Sequence, residues 1–120
     1  MMMTKKVLIV EDDMILSMVN KRYVEIIGHH VVQSVRSGLD AIAAAKKHNP
    51  DVILMDIRLE GIMDGIEAME EIRTFSDVGV IYLTGNSEPA TQLRAEKTNM
   101  IAFCTKPVSI DDLKSAFEKK

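Results

Sequence analysis

The sequence predicts an α/β fold, a single doubly wound sheet of five parallel strands with helices on both faces. Five short apolar runs lack the alternation of a half-exposed strand, which is the pattern of strands covered on both sides. Each run is followed by a stretch with helical spacing, so strand and helix alternate throughout. The 120 residues, 47% of them apolar, suit one domain (1–120) whose core needs neither disulfide nor metal for basic stability.

Lys6 to Val10 is the first buried run, followed at once by Glu11, Asp12 and Asp13. From Met14 the spacing becomes helical, with Ile15, Val19, Tyr23 and Ile26 on one stripe and Gly28 placed to end it. His29 to Val35 is a less apolar second strand, expected near a sheet edge, with His29 and His30 read as surface residues. Ser37 and Gly38 open a second helix that packs through Leu39, Ile42, Ala43 and Ala45 until Asn49-Pro50 stops it.

Asp51 to Met55 is the third strand, nearly all apolar, and Asp56 stands at its end. After a Gly-containing loop, Gly65 to Thr74 is helical through Ile66, Met69 and Ile72; Val78 to Leu83 is the fourth strand, ending in Thr84-Gly85. Ser87 to Thr98 starts like a helix but offers only Ala90, Leu93 and Ala95 for burial, which predicts a short or mobile element. Met100 to Cys104 is the fifth strand and leads into Thr105, Lys106 and Pro107, and Ser109 with Asp112 forms a capping box for a helix packed through Leu113, Ala116 and Phe117.

Net charge is −3 and the sequence pI is near 5.6, without the basic excess of a nucleic-acid-binding surface. Cys104, the one cysteine, lies in an apolar run and reads as a buried small side chain in a reducing cytoplasm. The run Val7 to Val10 is too short for a signal's hydrophobic region and ends in three acids, so neither export nor a membrane span is expected.

All C-terminal strand ends of a parallel sheet lie on one edge, so Asp12, Asp13, Asp56, Thr84 and Lys106 converge there despite their distance in sequence. Three close carboxylates repel, and the pKa of one rises unless a cation is present. A hard divalent ion with oxygen ligands, most plausibly Mg²⁺ with a few carboxylates, water and a phosphate, relieves that repulsion. A lysine and a threonine hydroxyl suit the oxygens of a phosphoryl group, and Asp56 becomes the attacking carboxylate of an aspartyl phosphate.

These motifs, VLIVEDD, DVILMDIRL, IYLTG and AFCTKP, together resemble the receiver domain of two-component response regulators, the CheY-like superfamily, over essentially the whole chain. The resemblance implies a flavodoxin-like sheet in the order 2-1-3-4-5 and makes Asp56 the phosphoacceptor, with Lys106 on the phosphoryl group. It implies Mg²⁺, or Mn²⁺, held by Asp12, Asp13, Asp56 and the backbone carbonyl of Arg58, with Glu11 a third acid of the pocket that need not ligate directly. Thr84 is similar to the family's switch hydroxyl, Phe103 to its rotating aromatic, and Arg58 and Asn86 to the positions that tune phosphate lifetime. A cis bond between Lys106 and Pro107 is expected on the same ground.

The loop RLEGIMDGIEA departs from the family in lacking a common Pro and in carrying one more residue before its Gly, and Thr84-Gly85 replaces a frequent Thr-Ala. The implied partners are a histidine kinase or phosphotransfer protein and a downstream effector or fused output domain, with a phosphorylation-dependent dimer among the outcomes and no direct nucleic-acid or membrane contact. The domain is expected to assist its own phosphorylation and dephosphorylation without being an enzyme in the ordinary sense. Two rival classes are an aspartyl-nucleophile phosphohydrolase, which usually has a second acid where this chain has Arg58, and a flavodoxin-like nucleotide or flavin binder, for which the Gly-rich phosphate loop is lacking after the first strand.

Overall fold

In a computed structural model that describes residues 3–85 and 88–119, five parallel strands form one sheet in the order β2-β1-β3-β4-β5. The strands are β1 (Lys6–Val10), β2 (His30–Val35), β3 (Val52–Asp56), β4 (Gly79–Thr84) and β5 (Ala102–Thr105). They alternate with α1 (Met14–Ile27), α2 (Gly38–His48), α3 (Gly65–Ile72), α4 (Pro89–Glu96) and α5 (Ile110–Glu118). The expected strand order and the helices on both faces are therefore observed, with β2 at an edge.

Because side chains alternate along a strand, the sheet separates two cores. Val7, Ile9, Leu54, Ile81 and Leu83 pack with Val24 of α1 and with Leu113, Ala116 and Phe117 of α5. Leu8, Val10, Ile53, Met55, Val80 and Tyr82 face α2, α3 and Ala95 of α4. All five residues of β3 are buried, Asp56 included, so its last residue lies at the centre of the molecule's upper edge and not on a periphery.

Helix ends follow the local chemistry. Asp13 caps α1 and Gly28, at φ 111°, ends it in the left-handed region that glycine enters without steric cost. Asp64 with Glu67 and Ser109 with Asp112 form capping boxes at α3 and α5. The Lys106–Pro107 peptide is cis, as expected.

Several faces differ from the sequence reading. In α1 the buried residues are Asn20 and Val24, with Tyr23 half-buried, whereas Ile15, Val19 and Ile26 are exposed. In α2 the inner face is Gly38, Ala41, Ala44 and Ala45, with Ile42 beside it, and Leu39 and Ala43 point to solvent. Both helices are apolar on more than one side at their starts, so a 3.6-residue period alone leaves their phase open.

His29 is buried, contrary to its reading as a surface residue, while His30 is exposed. The His29 ring lies 4.7 Å from the Phe117 ring, centroid to centroid, and its Nδ1 accepts the Lys5 N–H at 3.1 Å. Burial, then the nearby Lys5 charge, lowers its pKa. Cys104 is half-buried where full burial was expected, and burial, with a smaller contribution from Asp112, raises its thiol pKa.

Candidate functional site

Four strand ends build the site. Asp56 ends β3 with 3% of its surface exposed, and its position is fixed by the ladder to β4, which continues through Ile57 N–H donating to the Leu83 carbonyl at 3.0 Å. Behind it, Gly65 N–H donates to the Ile57 carbonyl at 2.7 Å, and a Cβ on Gly65 would collide with the Asp56 carbonyl oxygen. Glycine is thus required there by close approach. Thr84 ends β4, buried, and its carbonyl accepts the Lys106 N–H at 2.8 Å, which brings the chain after β5 back over the site.

Lys106 Nζ lies 2.9 Å from Asp56 Oδ2 and 3.0 Å from Glu11 Oε1, one ammonium shared by two buried carboxylates. Asp56 Oδ1 also accepts the Arg58 N–H at 3.3 Å, and Glu11 Oε2 accepts the Asp13 N–H at 3.2 Å. Burial is the largest influence raising the Glu11 pKa, the hydrogen bond to Asp56 adds to it, and Lys106 works against it. For Lys106, burial opposes the charge, but the bonds to Asp56 and Glu11 outweigh it and the pKa is raised. Glu11 thus holds its proton more readily than a free carboxyl, chiefly because it is buried.

Among the described residues, the acids whose ligand atoms lie within 4.8 Å of one another are Glu11, Asp12 and Asp56. Asp13 does not join this group, although it lines the same crevice. Its Oδ1 accepts the N–H groups of Ile15 and Leu16 at 2.9 and 3.0 Å as the cap of α1, so Glu11, and not Asp13, is the acid grouped with Asp12 and Asp56. An all-oxygen set of close carboxylates fits a hard divalent cation. The crevice, of ≈ 410 Å³, is lined by Asp12, Asp13, Leu16, Asp56, Arg58, Thr84, Gly85 and Lys106.

The remaining residues singled out from the sequence are less central. Arg58 reaches the crevice rim, exposed. Phe103 is half-buried against the core on the α2 and α3 side, and Asn86 lies outside the described residues. One group escaped the sequence reading altogether: Arg36 Nη2 donates to the Asp12 carbonyl at 3.0 Å. No sequence signal marks it, because an arginine before a helix start is common on solvated surfaces.

This doubly wound α/β chain places buried carboxylates, a lysine and a crevice at the carboxyl ends of its strands, the edge where open α/β sheets bind ligands. Residues 7–118 match the family model of the response regulator receiver domain, and the chain belongs to that family. It is 32% identical over 114 residues to the transcriptional regulatory protein PdtaR of Mycobacterium tuberculosis, covering 95% of this chain and 55% of that protein. The chain thus spans about half the length of that relative. It is also 32% identical over 111 residues to the polar-differentiation response regulator DivK of Brucella ovis, covering 90% and 89% of the two chains. The signal receiver domain of a modulated diguanylate cyclase from Desulfovibrio desulfuricans shares its fold with a TM-score of 0.88 at 29% identity, over 97% of this chain and 92% of that one. As a receiver domain of response regulators, the chain has the architecture of a two-component signalling switch. Among the described residues, no helix is long and apolar enough to cross a membrane.

Proposed function

We propose that this chain, as one receiver unit, accepts a phosphoryl group on Asp56 from a phosphohistidine of a histidine kinase or phosphotransfer protein in the cytoplasm, and passes the change to an effector or fused output domain. The observation that carries the reading is the single lysine shared by Asp56 and Glu11 at the bottom of a strand-end crevice. A carboxylate oxygen of Asp56 attacks the phosphorus, the phosphorus–nitrogen bond breaks, and the electron pair leaves with the donor imidazole. Lys106 sits where it can move from a carboxylate oxygen to a phosphoryl oxygen, and the dianionic product compensates it for the lost contact.

Asp12 and Asp56, with Glu11 beside them and the Arg58 carbonyl at the rim, would hold Mg²⁺ or Mn²⁺. When bound, the ion supplies charge neutralisation for the transferring group. Thr84, at the end of β4 on the crevice wall, would bond a phosphoryl oxygen and Phe103 would follow it, while Arg58 and Asn86 would set how readily water reaches the acyl phosphate. Coupling of this kind is typically about 1–3 kcal/mol, enough to shift a two-state population.

Incubation with a small phosphodonor and Mg²⁺, read by intact-mass spectrometry, should add one phosphoryl group to the wild-type chain. Asp56→Asn should abolish it, as should chelation of the metal. Unchanged labelling of Asp56→Asn would refute the assignment.

A further inference from the structure

The turn between β2 and α2 reaches both segments that carry the proposed metal ligands. On one side Arg36 Nη2 donates to the Asp12 carbonyl at 3.0 Å, and one residue earlier the Val35 carbonyl accepts the Glu11 N–H at 3.0 Å. On the other side Gly38 packs so closely on Met63, in the loop after Asp56, that a Cβ on Gly38 would collide with the methionine side chain. The turn itself is fixed, since Ser37 Oγ accepts the Asp40 N–H at 3.1 Å and caps α2. Val35 and Arg36 therefore hold the backbone of Glu11 and Asp12, and Gly38 meets the loop that bears the Arg58 carbonyl.

We propose that Arg36 is a positioning residue for the divalent-cation site: its bond to the Asp12 carbonyl keeps the β1–α1 turn closed against the mutual repulsion of Glu11, Asp12 and Asp56. The inference rests on the reading of Asp12 and Asp56 as metal acids. Two effects of Arg36 have opposite sign. Its positive charge disfavours a nearby cation, whereas its hydrogen bond holds an acid in place for one. The side chain is exposed, so its charge is screened by water and salt, while the bond acts directly on the backbone that aims the carboxylate. Positioning therefore dominates.

Isothermal titration of Mg²⁺ into the unphosphorylated chain separates the cases. Arg36→Gln should raise the Mg²⁺ Kd about three- to tenfold, the worth of one net hydrogen bond. Arg36→Lys, which can still donate one bond, should recover part of that loss. The Mg²⁺ concentration that half-saturates phosphorylation by a small phosphodonor should rise by the same factor, while the rate at saturating Mg²⁺ stays within about twofold of wild type. Tighter Mg²⁺ binding in Arg36→Gln would mean that only the charge matters, and unchanged binding would mean a surface contact without a role; either result overturns the proposal. Because the side chain is exposed, thermal unfolding of Arg36→Gln should match wild type, and a fall in melting temperature paralleling the loss of affinity would also count against it. Asp12→Asn is the separate control: if it binds Mg²⁺ as wild type does, the metal-site reading has failed and not merely the role of Arg36.

Discussion

α3 and α4 are both eight residues long and lie on either side of β4 in the chain, yet they are held in opposite ways. α3 buries Gly65, Ile66, Ala68, Met69 and Ile72 and begins with a capping box. α4 buries Ala95 alone and begins at Pro89 without a side-chain capping bond. Among the described residues, several bonds from its neighbours fasten α4 near its C-terminal end. Tyr82 Oη and Thr98 Oγ1 are 2.6 Å apart in the core, Thr98 Oγ1 donates to the Ala95 carbonyl at 2.6 Å, and Arg73 Nε donates to the Thr98 carbonyl at 2.7 Å. An exposed ion pair of 3.1 Å from Arg94 to Asp64 ties α4 to the cap of α3. A helix held by a broad apolar face moves only with the core, whereas a helix that buries one side chain is held more loosely.

The largest expected contrast comes from side-chain truncation. Ile72→Ala, in the buried face of α3, should cost about 2–5 kcal/mol, while Leu93→Ala in α4, at a residue 59% exposed, should change stability by no more than about 0.5 kcal/mol. Urea unfolding monitored by circular dichroism measures both, and equal losses would erase the distinction.

Next in size is a pH effect on the anchor of α4. Burial, opposed by the hydrogen bond to Thr98, pushes the Tyr82 phenol from 10.0 up to about 12. A group whose pKa is raised in the folded chain contributes stability that is complete below pH 10 and disappears as pH climbs towards 12. The loss amounts to about 3 kcal/mol over that window. Wild type should therefore lose more stability between pH 9 and 12 than Tyr82→Phe, which lacks the ionisable hydroxyl; parallel curves for the two proteins would show that the phenol does not anchor the helix. The smallest effect is kinetic: backbone amides of α4 should exchange with solvent faster than those of α1 in the unphosphorylated chain, and hydrogen exchange as slow in both would reject the looser hold on α4.

The strands and the site were legible in the sequence because their signals are absolute. A run such as Val52 to Met55 has no polar face to misplace, and Asp56, Thr84 and Lys106 each follow such a run, so topology alone brings them together. Helix faces were less legible. Met14, Ile15, Leu16, Met18 and Val19 leave the phase of α1 undetermined, and the helix turns Asn20 inward instead. His29 was misread because its burial depends on Phe117, which is 88 positions away in the chain (117 − 29). Asp13 caps α1 for a local reason, since the last of three acids before a helix is the one placed to cap it, and this leaves Glu11 grouped with Asp12 and Asp56.

The segment between Ile57 and Gly65 is clamped at both ends, by the 2.7 Å bond joining them and by the contact of Gly65 with the Asp56 carbonyl. Its tip carries Gly61 at φ 104° and an Ile62 that is 87% exposed. The tip thus lies away from the clamp. Length at this tip should therefore be decoupled from the geometry of the nucleophile: an epitope or a fluorophore attachment point inserted between Glu60 and Ile62 should leave phosphorylation intact, and the same insertion one residue before Gly65 should not.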